Sequence, residues 1–139
     1  IATDHAPHTL EETQNSYFSA PSVGPLVQHC LPALLDMHHQ GKISLEKIVE
    51  KTSHAVADLF DIKKRGYLKE GFFADIAIVD INQSFTVTKE NILYKCQWSP
   101  FEGHSFNATV THTIVNGKVA YQDQVVHEVG VGKRLQFDR

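Results

Sequence analysis

Several features that would direct this chain toward particular functions are scarce or missing. Lysine and arginine number 13 against 16 aspartates and glutamates, which leaves a net charge of −3. No basic stripe exists to neutralise a phosphate backbone, so nucleic acid is not expected as a partner. No apolar run reaches the roughly 18 residues a membrane helix needs. The opening Ile1-Ala2-Thr3-Asp4-His5 has neither the basic region nor the apolar stretch of a secretion signal, and no membrane association is expected. Cysteine is confined to Cys30 and Cys96, far apart. Two such residues make no disulfide framework and point to a reducing, cytoplasmic setting. The only Gly-x-Gly, Gly130-Val131-Gly132, is followed by no helix and makes no phosphate loop. Internal repeats and low-complexity tracts are absent as well.

What is present is an ordinary globular balance over 139 residues, 42% of them hydrophobic, and an unusual 9 histidines. Residues 1–20 read as loop after a possible strand end at Ile1-Ala2-Thr3, with Pro7 and the polar run Glu11 to Ser16 opposing regular structure. Ala20-Pro21-Ser22-Val23-Gly24-Pro25 is a turn cluster. Apolar residues at Leu26, Val27, Cys30, Leu31, Leu34 and Leu35 mark one face of a helix reaching about Met37. Pro32 is expected to bend it, and Gly41 to end it. Ser44 is a good N-cap for a second helix with a stripe of Leu45, Ile48 and Val49. A break is expected at Thr52-Ser53, then a short helix burying Ala55, Val56, Leu59 and Phe60.

Near residue 62 the composition changes. Phe73 to Asp80 reads as a largely buried strand and Phe85 to Thr88 as a short one. Thr109 to Val115 alternates, and Asn116-Gly117 is a strong hairpin signal leading into a return strand, Lys118 to Tyr121. The tail from Gly130 reads as polar and extended. The chain therefore divides into a helical part, 1–62, and a β part, 63–139.

The densest chemistry lies in Thr3-Asp4-His5-Ala6-Pro7-His8, an acid and two imidazoles just after a possible strand end. One reading is a polar loop in which Asp4 caps a turn. The other is catalytic: in α/β barrels, functional groups sit at the C-terminal ends of strands, where an Asp can ligate a metal or accept a proton. His38-His39 point about 100° apart on a helix and cannot easily share one ion. His29, amid apolar helix positions, reads as a satisfied, partly buried histidine. No function is assigned to His54, His104, His112 or His127, and both cysteines read as packing residues.

Thr3-Asp4-His5-Ala6-Pro7-His8, followed by Glu11-Glu12, resembles the signature after the eighth barrel strand of dihydroorotases, in the cyclic amidohydrolase family. Gly24 to His29, Leu31 to Leu35, Gly66 to Gly71, Ala74 to Asp80, Ser99 to Gly103 and Thr113 to Val119 extend the resemblance to about residue 121. The later segments are similar also to hydantoinases, dihydropyrimidinases and allantoinases. The resemblance implies an α/β fold: the C-terminal part of a metal-dependent-hydrolase (β/α)8 TIM barrel, followed by a small β-sandwich-like domain. A complete barrel needs about 250 residues, so this chain is expected to be part of a longer one, whose other metal ligands precede Ile1.

The implied reaction interconverts L-dihydroorotate and N-carbamoyl-L-aspartate in pyrimidine biosynthesis, with one or two zinc ions. Asp4 would be both metal ligand and catalytic proton carrier. His8 would hold the substrate carboxylate, and Ser22 and Val23 would line the substrate pocket. Dihydroorotases usually carry glycine where Val23 stands, and a β-branched residue fits poorly if that position needs φ > 0. Implied partners are a small-molecule substrate and either a second copy of the chain or the rest of the barrel. Two alternatives are a sibling allantoinase or hydantoinase and a non-catalytic dihydroorotase-like scaffold. The 139 residues alone are expected to be inactive.

Overall fold

A computed structural model describes residues 1–128 and 130–138 of the chain. No strand forms among residues 1–9, so the expected strand end at Ile1-Ala2-Thr3 is not seen. The first element is a one-turn helix, α1 (Leu10–Thr13), inside the stretch expected to be irregular. A reciprocal capping box explains it: the Thr9 hydroxyl accepts from Glu12 N–H, and Glu12 accepts from Thr9 N–H.

A 3₁₀ turn at Val27–His29 leads into α2 (Cys30–His39). Because the α-helix starts only at Cys30, Pro32 falls in its first turn. Its missing N–H has no intrahelical partner to lose there, so the expected bend is replaced by a favourable start. Val27 faces solvent instead of joining the buried stripe. At the other end Gly41 N–H bonds to His38 O and Lys42 N–H to Met37 O, the paired pattern of a Schellman cap.

Ser44 caps α3 (Leu45–Val49) by accepting from Lys47 N–H at 3.2 Å. Ile48 is buried, while Val49 is exposed, contrary to the expected stripe. The helix does not break at Thr52-Ser53. It widens into a π turn (Glu50–His54) and continues as α4 (Ala55–Leu59). The Thr52 hydroxyl bonds back to Ile48 O within this turn. The wide turn shifts the helical phase, so Ala57 faces inward and Leu59 and Phe60 face solvent. Ala57 meets Gly66, where an added Cβ would lie 2.4 Å from the Ala57 Cβ at a backbone φ of +84°. Only glycine fits that crossing.

The β part holds a four-stranded antiparallel sheet ordered β1 (Ile76–Asp80), β4 (Thr109–Val115), β5 (Lys118–Gln122), β6 (Val125–Val126). A separate two-stranded ribbon pairs β2 (Phe85–Thr86) with β3 (Ser105–Phe106). β1 is shorter than expected and not largely buried, because it is an edge strand bonded only to β4. Asn116 and Gly117 make the two-residue turn between β4 and β5 at φ 49° and 81°, the left-handed pair of a type I′ hairpin. A second such turn, Asp123-Gln124, leads into β6, which the sequence reading passed over.

The two parts share a core. Leu35 of α2, Ile48 of α3 and Ala108 ahead of β4 are buried together, with Leu31, Leu34, Val79 and Ile81 packed around them. Full burial of a Leu or Ile contributes about 1.5–3 kcal/mol. Asp36, also buried, ties α2 to the β part: it accepts from Asn107 N–H at 2.9 Å, the Asn107 amide at 3.1 Å and His104 Nε2 at 3.3 Å. Burial pushes its carboxyl up, but these hydrogen bonds more than offset that and hold it below the usual aspartate range. At the boundary, Arg65 pairs with Asp75 and donates to Asn116 Oδ1 at 2.9 Å, joining the junction to the hairpin tip. The tail returns to the same junction: Ile62 bridges Phe137, and Lys63 pairs with Asp138 at 2.5 Å.

Candidate functional site

Two loops meet in front of α2. Ala6 N–H donates to Gly24 O at 3.2 Å, which sets the Asp4–His8 segment beside the turn carrying Ser22 and Val23. His5 adds a second link. Its Nδ1 accepts from Leu26 N–H at 3.1 Å and Val27 N–H at 3.4 Å, in the manner of a cap on the 3₁₀ turn that precedes α2. Both donors require an unprotonated Nδ1, so the geometry assigns that nitrogen as acceptor.

Asp4 sits at φ 48° with its side chain exposed. Among the described residues its carboxylate has no hydrogen bond or ion pair, so the turn-capping reading of Asp4 is not what the structure shows. His8, half-buried, lies 3.6 Å from Glu12. Backbone and side-chain hydrogen bonds from Thr9 hold the Glu12 carboxyl below its usual range, with a smaller contribution from His8. The imidazole expected to meet an external anion thus already faces an internal one. Sequence reading placed Glu12 in the signature but missed both its capping role and this pairing; Thr9-x-x-Glu12 was the available signal.

Ser22 and Val23 are exposed, and Val23 takes φ 71°. A β-branched residue in the left-handed region costs about 1–2 kcal/mol. The backbone therefore keeps the conformation that glycine would adopt without strain, although the residue is valine. Asp4, His8, Ser22 and Val23 are gathered on two adjoining loops, but they do not form a closed cluster. No three His, Cys, Asp or Glu side chains among the described residues come together to hold a metal ion. These residues do not by themselves fit a zinc centre; Asp4 offers one unengaged donor where such a centre needs three.

A sizeable groove lies elsewhere. It has a volume of about 630 Å³ and runs between the start of α2 and the sheet, past Gln28, Leu31, Phe85, Asn91 and Tyr121. None of the four candidate residues lines it. His29, at its floor, is 1% exposed and so more deeply buried than the sequence suggested. Its Nδ1 faces Ser99 Oγ at 3.1 Å and Tyr94 OH at 3.4 Å, while Nε2 has no partner among the described residues. Burial pushes its pKa down. Both cysteines are free and half-buried, and burial raises the Cys30 thiol, consistent with packing roles.

The amidohydrolase family model matches residues 16–121. A dihydroorotase of Endomicrobium trichonymphae is 39% identical over 124 residues, covering 88% of this chain and 29% of that protein. An allantoinase of Desulfitobacterium hafniense is 31% identical over 137 residues, 98% of this chain and 30% of that protein. The structure of L-hydantoinase (dihydropyrimidinase) from Arthrobacter aurescens superposes with a TM-score of 0.82 at 26% identity, covering 89% of this chain and 29% of that one. The chain belongs to the amidohydrolase family. Within that family it is dihydroorotase-like, and it spans about 30% of the length of the curated relatives it matches. No helix among the described residues is long and apolar enough to cross a membrane.

Proposed function

We propose that the protein containing this chain is a dihydroorotase that hydrolyses and re-forms the cyclic amide of L-dihydroorotate, in the cytoplasm, for pyrimidine biosynthesis. In this reading residues 1–62 close a TIM barrel and residues 63–139 complete a small β domain beside it. The observation that carries the reading is the Asp4–His8 segment, with its unengaged Asp4 carboxylate on a left-handed residue and its tie to the Ser22–Val23 turn. The similarity to proteins named dihydroorotase supports it.

Asp4 would take a proton from the attacking water as oxygen bonds to the amide carbon. It would return that proton to the ring nitrogen as the C–N bond breaks, giving the carbamoyl amino acid. Reversal closes the ring by the same transfers. A carboxylate without an internal hydrogen-bond partner among the described residues can both accept and return a proton. His8 would bind the substrate carboxylate, exchanging Glu12 for an external anion. Zinc belongs to this reading through the family, with Asp4 contributing one donor.

Allantoin hydrolysis is the second reading, favoured by the allantoinase relative that covers 98% of the chain and by valine at position 23. Purified full-length protein should be assayed on dihydroorotate, allantoin and hydantoin. Turnover of dihydroorotate at least tenfold above the others is expected. Asp4→Ala should lower kcat by roughly 10²–10⁴. Near-normal turnover by that variant rejects the assigned role, and preference for allantoin selects the second reading.

A further inference from the structure

Residues 91–98 belong to the β part, yet several of their polar contacts run to the 3₁₀ turn ahead of α2 and one to the loop carrying Asp4 and His8. The Gln28 amide is held at both ends, donating to Asn91 O at 2.7 Å and accepting from Leu93 N–H at 2.9 Å. Tyr94 accepts from Gln28 N–H at 2.8 Å, and its ring lies 5.3 Å from that of His5. Gln97, at φ 56°, turns the chain so that Trp98 points back to the same place. The indole Nε1–H then donates to His8 O at 2.8 Å. The ring lies beside Gly24, where a Cβ would sit 3.4 Å from Trp98 Cη2, in van der Waals contact. One side chain therefore touches both loops: the one with Asp4 and His8, and the one with Ser22 and Val23.

We propose that Trp98 is a positioning residue for the candidate site, its indole N–H fixing the His8 carbonyl while its ring against Gly24 sets the spacing between the two site loops. Neither loop has regular structure at these positions, and they are tied by the backbone bond from Ala6 to Gly24 and by His5 Nδ1 accepting from Leu26 and Val27 N–H. A loop held by so few bonds opens locally at little cost. The kinetic consequence rests on the function proposed above; the structural consequence does not.

The test uses Trp98→Phe in the full-length protein, which keeps an aromatic ring and removes the donor. Amide hydrogen exchange at Ala6 and His8 should accelerate about three- to tenfold, the range expected for loss of one net hydrogen bond. Amides from Leu34 to His38 in α2 should be unchanged. In the same variant KM for dihydroorotate should rise by a similar factor while kcat stays within twofold, because His8 shifts against the substrate anion. Unchanged exchange at Ala6 and His8 overturns the proposal. So does uniform acceleration through α2, which marks a general packing role. Local acceleration with KM unchanged also overturns it, by severing Trp98 from the site. Local acceleration in the variant, with the wild-type protein inactive on dihydroorotate, upholds the positioning role and rejects the functional reading instead. Should Trp98→Phe fail to fold, benzothienylalanine at position 98 replaces the N–H with sulfur in nearly the same outline, and the same outcomes apply.

Discussion

The helix–sheet seam and the pair of site loops are built by opposite rules. In the seam, Leu35, Ile48 and Ala108 are buried, Asp36 has three donors, and the Schellman cap satisfies the helix end. In the loops, Asp4 is exposed and without a partner among the described residues, and Asp4 and Val23 both occupy left-handed backbone. Interactions in the seam stabilise the fold. Those around the loops hold the candidate side chains outside it, through contacts of His5, Tyr94 and Trp98. Strain and missing partners are tolerable in a site because a rigid neighbour bears the cost.

Breaking the seam should have the largest effect. Asp36→Ala leaves Asn107 N–H without its acceptor and should lower unfolding free energy by about 3 kcal/mol, measured by denaturant titration. A loss below roughly 1 kcal/mol would show that the seam does not depend on this carboxylate.

Acid probes the seam more gently, through His29. Its folded pKa is depressed from the model-compound value of 6.5. Below that value the unfolded chain binds a proton that the folded chain refuses, so stability falls as pH falls. The slope should approach about 1.4 kcal/mol per pH unit at most. The loss ends once the folded histidine titrates as well. Asp36 adds a lower window, because the stability its ionised carboxylate contributes is lost as pH drops through its depressed folded pKa. His29→Gln should flatten the upper window and leave the lower one. An unchanged upper slope would place the titrating group elsewhere.

The smallest effect should come from the loops. Val23→Gly removes left-handed strain but adds unfolded-state entropy, for a net stabilisation of about 0.5 kcal/mol. Thermal unfolding of the full-length protein measures it. A destabilisation would mean that the valine side chain, though exposed, contributes contacts that outweigh its strain.

Much of this was legible because it is local. Ser44, Gly41 and Asn116-Gly117 carry their geometry in their own chemistry, and each does what its residue type suggests. The Asp4–His8 run stood out because an acid and two imidazoles fell within five residues. The illegible parts depend on partners distant in sequence. Nothing near Asp36 announces Asn107, 71 residues away, and nothing near His8 announces Trp98, 90 residues away. Val49, Leu59 and Phe60 were misread because an apolar residue shows its preference for burial but not whether a neighbour arrives to bury it. β1 was misread likewise, since a run of apolar residues looks the same at a sheet's edge as at its centre.

The π turn at Glu50–His54 carries a consequence for comparing sequences. A widened turn of this kind arises when an established helix accommodates one additional amino acid without shifting the residues on either side. The spot where the ladder loosens is then the most tolerant place in the helix for a length change. Homologues that lack the additional amino acid should show a one-position gap between 50 and 54, with an unbroken α-helix across it. Aligning them without that gap would rotate everything downstream by about 100° and set Ala57 against the wrong column.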